Sequence, residues 1–239
     1  MKNKSKRFNI RGRKTVWSDL LAAALGIITL YLSLIIIQIS KDSSLSNGDY
    51  IFYLAVISPL SIVIIHLLLR FLNKENYRDL NLKGGTFLSD LSATFILSIV
   101  IIAANIVSQP VLSEFLPDTD TGVRDLFLEM AENPGRFLLF VGPLVLLGAA
   151  SEELMRVFLL SRLWRLWPSL PGKLISVLIS ACLFGFLHLS RGPVHVAWTT
   201  LFGLLMAFYY LRFGRVLPLI LAHYLSNAIQ VVVTVFAFS

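Results

Sequence analysis

Two adjacent glutamates and an arginine interrupt a long apolar stretch of this 239-residue chain. Glu152, Glu153 and Arg156 follow an apolar run over residues 137–147, and apolar residues resume directly after the arginine. Each ionisable side chain in lipid costs about 2.5 kcal/mol or more, so such groups are kept for function or are paired internally. The stretch therefore predicts a functional site inside a membrane, with Arg156 holding one glutamate ionised.

Two later apolar segments carry further polar groups. His188 lies near the end of one, and His223 and Asn227 lie one helical turn apart in the last, which places them on one face. A carboxylate and an imidazole that share a water molecule can remove its proton. An amide and a second imidazole can donate hydrogen bonds to an oxyanion. Together these residue types suffice to hydrolyse a peptide bond with water and no covalent intermediate.

Each pair of groups also has a structural interpretation. A glutamate and an arginine can form an intramembrane salt bridge, and a histidine and an asparagine can join helices by hydrogen bonds. Two glutamates and two histidines are also adequate zinc ligands, although the chain lacks a His-Glu-x-x-His sequence. It also lacks a Gly-x-Ser-x-Gly sequence and an aspartate pair deep in the apolar segments. We expect no cofactor, with zinc as the alternative.

The composition places these groups in a membrane protein. The chain is 56% hydrophobic and 15% charged, whereas soluble domains carry about 25% charged residues. Its length suits one integral membrane domain over residues 1–239.

The elements that must position the polar groups are apolar helices. A helix of about 20 residues crosses the hydrocarbon core, and we predict an all-α, polytopic bundle of about seven spans with its N-terminus inside. The predicted spans cover residues 20–39, 50–72, 87–112, 137–165, 173–189, 194–211 and 216–238.

The basic residues set the orientation. Residues 1–16 form a basic tail, predicted to be cytoplasmic and to contact anionic lipid. Of the 21 lysines and arginines, the inner segments then hold 16 and the outer segments 4, with Arg156 inside a span, as the positive-inside rule requires. Because this charge is spread over several loops, the net charge of +7 does not indicate a nucleic-acid partner.

Counting residues along the predicted helices places the polar groups at about the same depth in the membrane. At a rise of 1.5 Å per residue, Glu152, His188 and Asn227 lie ~20, ~22 and ~18 Å from the inner ends of their spans. The long connection over residues 113–136 contains apolar residues at helical spacing from 123 to 130. This pattern predicts an amphipathic helix, either on the membrane surface or as a lid over a substrate entrance.

Three ordered motifs carry a family resemblance. We assign Glu152, Glu153 and Arg156 to a Glu-Glu-x-x-x-Arg motif, Phe184 to His188 to Phe-x-x-x-His, and His223 to Asn227 to His-x-x-x-Asn. In this order they resemble the CPBP family of intramembrane proteases, also called the Abi family, which includes type II CAAX prenyl endopeptidases and bacteriocin-processing enzymes. The resemblance covers residues 137–230, the predicted catalytic core helices, and departs from the family at Val157, where glycine is frequent.

The resemblance implies a glutamate-type endopeptidase, of a family often described as metalloproteases, in which Glu152 and His188 activate water. It implies that His223 and Asn227 form the oxyanion hole. The supporting residues would be Glu153, Arg156 and Phe184.

The implied substrate is a peptide or a lipidated protein, which includes prenylated tails, and the implied location is a prokaryotic cell membrane with several passes. Two other functions stay open. One is a non-proteolytic membrane scaffold or bacteriocin-immunity protein with the same fold. The other is a proton-coupled transporter, ranked lower because the chain shows no internal repeat.

Overall fold

The computed structural model describes residues 16–28, 58–80, 85–117 and 123–238. Every regular element in these ranges is helical, as the all-α prediction requires. A π-helical turn, Phe140–Leu144, joins the helix Pro134–Leu139 to the helix Val145–Leu166. The helices in chain order are α1 Val16–Ile28, α2 Ser58–Asn73, α3 Phe87–Phe115, α4 Val123–Ala131, α5 Pro134–Leu139, α6 Val145–Leu166, α7 Leu170–Phe186, α8 Pro193–Phe213 and α9 Leu217–Phe238.

Four helical stretches in the described ranges are long and apolar enough to cross a membrane: Phe87–Phe115, Pro134–Leu166, Pro193–Phe213 and Leu217–Ala237. The helices α1, α2 and α7 are apolar but shorter. The chain is an integral membrane protein. The seven-span count and the orientation stay predictions, because nearly all of the basic tail and parts of the first two predicted spans lie outside the described residues.

The start of α7 differs from the prediction. Pro171 and Gly172 were expected to precede the fifth segment, but the helix already begins at Leu170. The Ser169 side chain caps it by accepting a hydrogen bond from the Gly172 amide at 3.2 Å. Proline is tolerated in the first helical turn because its missing N–H would have no intrahelical partner.

Small residues bring α7 and α8 into close contact. A Cβ atom added to Gly185 would lie 2.9 Å from the Val196 carbonyl oxygen and would overlap the Thr200 hydroxyl. One added to Gly203 would lie 3.1 Å from the Ala181 Cα. Small residues at such interfaces let helix backbones approach. This close pair fixes the end of α7, and His188 follows two residues after that end.

The centre of the bundle is α6. Met155, Phe158 and Leu160 on this helix are almost wholly buried, and Val157 is fully buried in the same hydrophobic core. The valine that replaces the family's frequent glycine is therefore a core packing residue. The helix packs against both α9, which carries His223, and α7, which ends two residues before His188.

A group of buried charges joins α1, the end of α2 and α6. Arg162 is fully buried and donates to Asp19 at 3.2 Å and to Glu75 at 2.6 Å. Arg165 pairs with the same two carboxylates, and the Asn73 amide donates to Asp19 at 3.1 Å. We call Asp19, Glu75, Arg162 and Arg165 the charge clamp. Burial raises the pKa of Glu75, but the hydrogen bonds and charges of both arginines outweigh burial and hold it below its ordinary value.

Candidate active site

A cavity of about 130 Å³ lies between α4, the π turn, α6, α7, α8 and α9. The structure places all four predicted catalytic residues in its lining: Glu152, His188, His223 and Asn227. Phe184 also lines it. A cavity of this size has room for several water molecules. The motifs from three separate helices thus meet at one polar cavity, while the catalytic roles of these residues stay predictions.

Arg156 pairs with Glu153. Its Nη1 atom donates to both carboxylate oxygens of Glu153, at 2.7 and 2.8 Å, and both side chains are almost completely buried. The sequence left open which glutamate Arg156 holds: Glu152 is four residues before it and Glu153 three, and both spacings bring side chains together on a helix surface. Glu153 is therefore neutralised inside the bundle, and Glu152 is left facing the cavity.

The spacing assigned to the first motif is wrong by one residue. Only Leu154 and Met155 separate Glu153 from Arg156, so the chain reads Glu-Glu-x-x-Arg where the family pattern has three intervening residues. With the shorter spacing, the arginine reaches the second glutamate in an i, i+3 pair. The pairing of the supporting residues expected from the resemblance is thus formed despite the departure.

His223 lies between the two glutamates. Its Nδ1 atom is 2.8 Å from Glu153 Oε1, and its Nε2 atom is 3.6 Å from Glu152 Oε2. An ionised carboxylate only accepts hydrogen bonds, and Arg156 stabilises Glu153 in that form. The proton of a neutral His223 ring is therefore on Nδ1, and Nε2 can donate a hydrogen bond only when the ring carries a second proton.

His188 has a defined tautomer. Its Nδ1 atom is 3.0 Å from the Phe184 carbonyl oxygen, and a carbonyl can only accept, so Nδ1–H is the donor. This carbonyl is near the end of α7, where backbone acceptors lack helical partners, and the His188 amide bonds to Gly185 instead. In the neutral ring, Nε2 is left to accept a hydrogen bond from water.

Aromatic rings cover the buried ion pair. The Arg156 guanidinium carbon lies 4.0 Å from the centre of the Phe184 ring, within the range of a cation–π interaction. The Phe202 ring contacts His223 edge-on, with 4.7 Å between ring centres. Two Arg156 nitrogens, Nε and Nη2, have no hydrogen-bond partner among the described residues. The aromatic rings therefore support the arginine and fix its position behind the cavity.

Four polar cavity residues were not predicted. The motif residues share the cavity lining with Arg191, His195, Thr199 and Gln230. The two basic residues stand at the junction between the fifth and sixth predicted segments, just after His188. Their closeness to His188 in the sequence is the signal from which a position in the site could have been predicted. Gln230 lies three residues after Asn227, on the same helix face.

The predicted amphipathic helix is α4, and it forms part of the cavity wall. Leu126 and Phe127 line the cavity, and the Phe127 ring lies 5.9 Å from the Phe140 ring. Leu126 and Met130 are buried, which means that the apolar face of α4 packs on the protein. The helix covers the cavity, the position that the lid hypothesis requires.

The residues do not form an obvious metal site. In the ranges that the structure describes, no group of three or more histidine, cysteine, aspartate or glutamate side chains is arranged to hold a metal ion. Glu153, one of the possible ligands, already accepts hydrogen bonds from Arg156 and His223.

Comparison with known proteins gives a family. Residues 134–229 match the model of a family described as Rce1-like, type II CAAX prenyl endopeptidase. The match begins at the first residue of α5 and ends within α9, so it includes every cavity helix except α4 and nearly coincides with the range of the three motifs. Searches of curated proteins and of solved structures gave no match. The resemblance seen in the motifs is confirmed over residues 134–229, where the chain is similar to the Rce1-like family of type II CAAX prenyl endopeptidases.

Proposed function

We propose that this protein is an intramembrane endopeptidase of the CAAX-protease type that uses water activated by Glu152 and His188. Its substrate would be a peptide or the tail of a membrane-associated protein, prenylated tails included. The observation that carries the proposal is the meeting of Glu152, His188, His223 and Asn227 in one cavity, within a segment that matches a family of endopeptidases.

In the proposed reaction, one water molecule lies between the Glu152 carboxylate and His188 Nε2. Glu152 takes a proton as the water oxygen forms a bond to the peptide carbonyl carbon, which gives a tetrahedral oxyanion. Collapse of this intermediate breaks the C–N bond, and the protonated Glu152 returns its proton to the leaving amine. General acid–base catalysis of this kind contributes about 10²- to 10⁴-fold.

Asn227 and His223 would stabilise the oxyanion. The Asn227 amide is a donor without further change, whereas His223 can donate from Nε2 only as a doubly protonated ring, because Nδ1–H bonds to Glu153. The carboxylates of Glu152 and Glu153 lie 3.6 and 2.8 Å from the two ring nitrogens of His223. In this proposal Glu153 is a positioning residue that orients His223, and Arg156 keeps Glu153 ionised.

We propose that no metal takes part. The engagement of Glu153 by Arg156 and His223 supports this, as does the lack of a three-ligand group among the described residues.

The test uses full-length protein purified in detergent and a library of lipidated peptides, with and without a chelator. We expect cleavage to persist in chelator, to be lost in Glu152→Gln and to be kept in Glu132→Gln, a matched change at an exposed position. Loss of cleavage in chelator, restored by zinc, would refute the metal-free mechanism. If no peptide is cleaved, and Glu152→Ala and His188→Ala leave the cellular phenotype intact, the protein is a scaffold and not a protease.

A further inference from the structure

A glutamine on α9 faces the cavity and has no part in the proposed hydrolysis. Gln230 lines the cavity together with His223 and Asn227 from the same helix, and it is exposed. The segment that matches the family model ends at residue 229. The family match therefore does not extend to Gln230, and its chemistry must be read from its position in this chain.

The position of Gln230 on α9 aligns it with the two proposed oxyanion donors. Gln230 is seven residues after His223, which is two helical turns less about 20°, so the two side chains leave the helix in nearly the same direction. The point midway along the axis between His223 and Asn227 is five residues, or about 7.5 Å, before Gln230. An amide thus follows the oxyanion site at a defined distance along one face of α9.

This distance matches the repeat of an extended peptide. Each residue of such a chain advances about 3.3–3.6 Å, and successive carbonyl groups point to opposite sides. Carbonyl groups on the same side therefore recur about every 6.6–7.2 Å. With the scissile carbonyl oxygen between His223 and Asn227, the carbonyl two residues away lies within about 1 Å of the level of Gln230. The glutamine amide has two N–H donors for such an oxygen.

Apolar side chains line the cavity beside this amide. Val231 is the next residue of α9, and α4, which packs against α9, contributes Leu126 and Phe127. These three residues also lie outside the segment that matches the family model. A hydrogen bond in surroundings that exclude water is electrostatically stronger than one in water, so this wall favours a bond between Gln230 and a bound peptide.

We propose that Gln230 is a substrate-binding residue that donates a hydrogen bond to the peptide carbonyl group two residues from the scissile bond. The substrate then lies extended along α9, with α4 covering it. This inference rests on the proposed endopeptidase function and adds how the substrate backbone is held. Because every peptide has this carbonyl, the contact sets the register of the substrate at Glu152 and does not select its sequence.

The experiment uses the full-length protein in detergent, one peptide that it cleaves, and a series of the same peptide with a single thioamide at each position. The thioamide sulfur accepts a hydrogen bond more weakly than oxygen does. For sulfur at one carbonyl two residues from the cleaved bond, we expect kcat/KM of the wild type to fall about 2- to 10-fold, as for loss of one neutral hydrogen bond. The change should be mainly in KM, because the bond is the same in the ground state and the transition state.

Gln230→Met keeps the length of the side chain and removes the donor. This variant should cleave the all-oxygen peptide with kcat/KM lowered by a similar factor, and sulfur at the sensitive position should cause no further loss. A merely structural role of Gln230 would not remove the sensitivity at a single position. The control is Gln109→Met, a matched change on α3 outside the cavity lining, which should keep the wild-type pattern.

Each outcome bears on a different claim. If the wild type shows no loss at either carbonyl two residues from the cleaved bond, this inference is overturned and the endopeptidase proposal stands. Cleavage of none of the peptides, the all-oxygen parent included, overturns both. A loss that persists in Gln230→Met assigns the carbonyl to another group and overturns the role of Gln230. Substitutions at an exposed position are usually well tolerated, and Gln230→Ala repeats the test with a second side chain.

Discussion

The two groups of buried charge on α6 contain the same residue types and differ in what surrounds them. In the charge clamp, Arg162 and Arg165 both pair with Asp19 and Glu75 from other parts of the chain. In the candidate site, Arg156 pairs with Glu153 on its own helix, and the Glu152 carboxylate lies 3.6 Å from His223 Nε2. The charged groups of the clamp all bond to one another, whereas the candidate site borders a cavity.

The difference shows what separates a structural ion pair from a candidate catalytic one in this protein. Burial and charge are common to both groups, so neither property marks the site. What marks it is a carboxylate, Glu152, that faces a cavity with room for several water molecules, while Arg156 bonds to the neighbouring Glu153. Removing one partner of the clamp should therefore affect folding, whereas removing the Glu152 charge should affect chemistry.

The largest expected effect is on activity. Glu152→Gln should lower kcat by about 10²- to 10⁴-fold, because the amide cannot take a proton from water. Its melting temperature in detergent should stay close to that of the wild type. If Glu75→Gln in the charge clamp lowers kcat of the folded protein as much as Glu152→Gln does, the proposed difference between the two groups of charges is wrong.

The next effect is on stability. Arg162→Gln leaves Asp19 and Glu75 without their fully buried partner, and loss of one member of a buried pair costs about 3–5 kcal/mol. Thermal or denaturant unfolding in detergent measures the loss. Arg78→Gln, at an exposed position, should change the unfolding free energy little. An Arg162→Gln protein as stable as Arg78→Gln would show that the clamp has no role in folding.

A smaller effect is expected at the contact between α7 and α8, which positions His188. Gly185→Ala places a methyl group against the Val196 carbonyl and the Thr200 hydroxyl, and such overpacking costs about 1–3 kcal/mol. Because α7 would have to move, His188 should move with it, and kcat should fall together with the melting temperature. Gly142→Ala, where an added Cβ meets nothing within 4 Å, is the matched control and should change neither quantity.

The smallest expected effect is on the pH dependence of stability. The folded protein holds the pKa of Glu75 below its ordinary value of 4.5, so the ionised clamp stabilises the fold above about that pH. The contribution is lost as the pH falls below 4.5 and through the lower pKa of the folded state. The gap in melting temperature between the wild type and Glu75→Gln should therefore narrow between pH 6 and pH 3, at about constant ionic strength. A gap that is constant over this range would show that Glu75 is not held ionised by the arginines.

Most of the helices and the core of the site could be predicted because their signals are local. Apolar runs of sufficient length indicate α3, α8 and α9, and helical spacing places His223 and Asn227 on one face of α9. The depth of each polar residue in the membrane follows from counting residues along a helix of known rise. The order of the three motifs indicated the family resemblance.

The contacts between distant parts of the chain could not be predicted in this way. Asp19 and Arg162 are 143 residues apart, and only the packing of α1 against α6 brings them together. Arg156 had two possible glutamate partners within one helical turn, and the choice depends on the side-chain directions and on His223. Arg191 and His195 belong to no motif, and their position in the cavity follows from the turn at Gly192.

The positions of Glu153 and Arg162 on one helix limit how α6 can sit in the bundle. An apolar helix surrounded by apolar neighbours can slide or rotate at little energetic cost, because one leucine replaces another at the interface. Arg162 is nine positions after Glu153, which corresponds to about 13.5 Å along the axis and about 180° around it beyond two full turns. A shift of α6 by one residue would pull Arg162 from Asp19 and Glu75 and would at the same time pull Glu153 from His223 on α9. The two ion-pair groups thus specify a single register for the helix that carries Glu152.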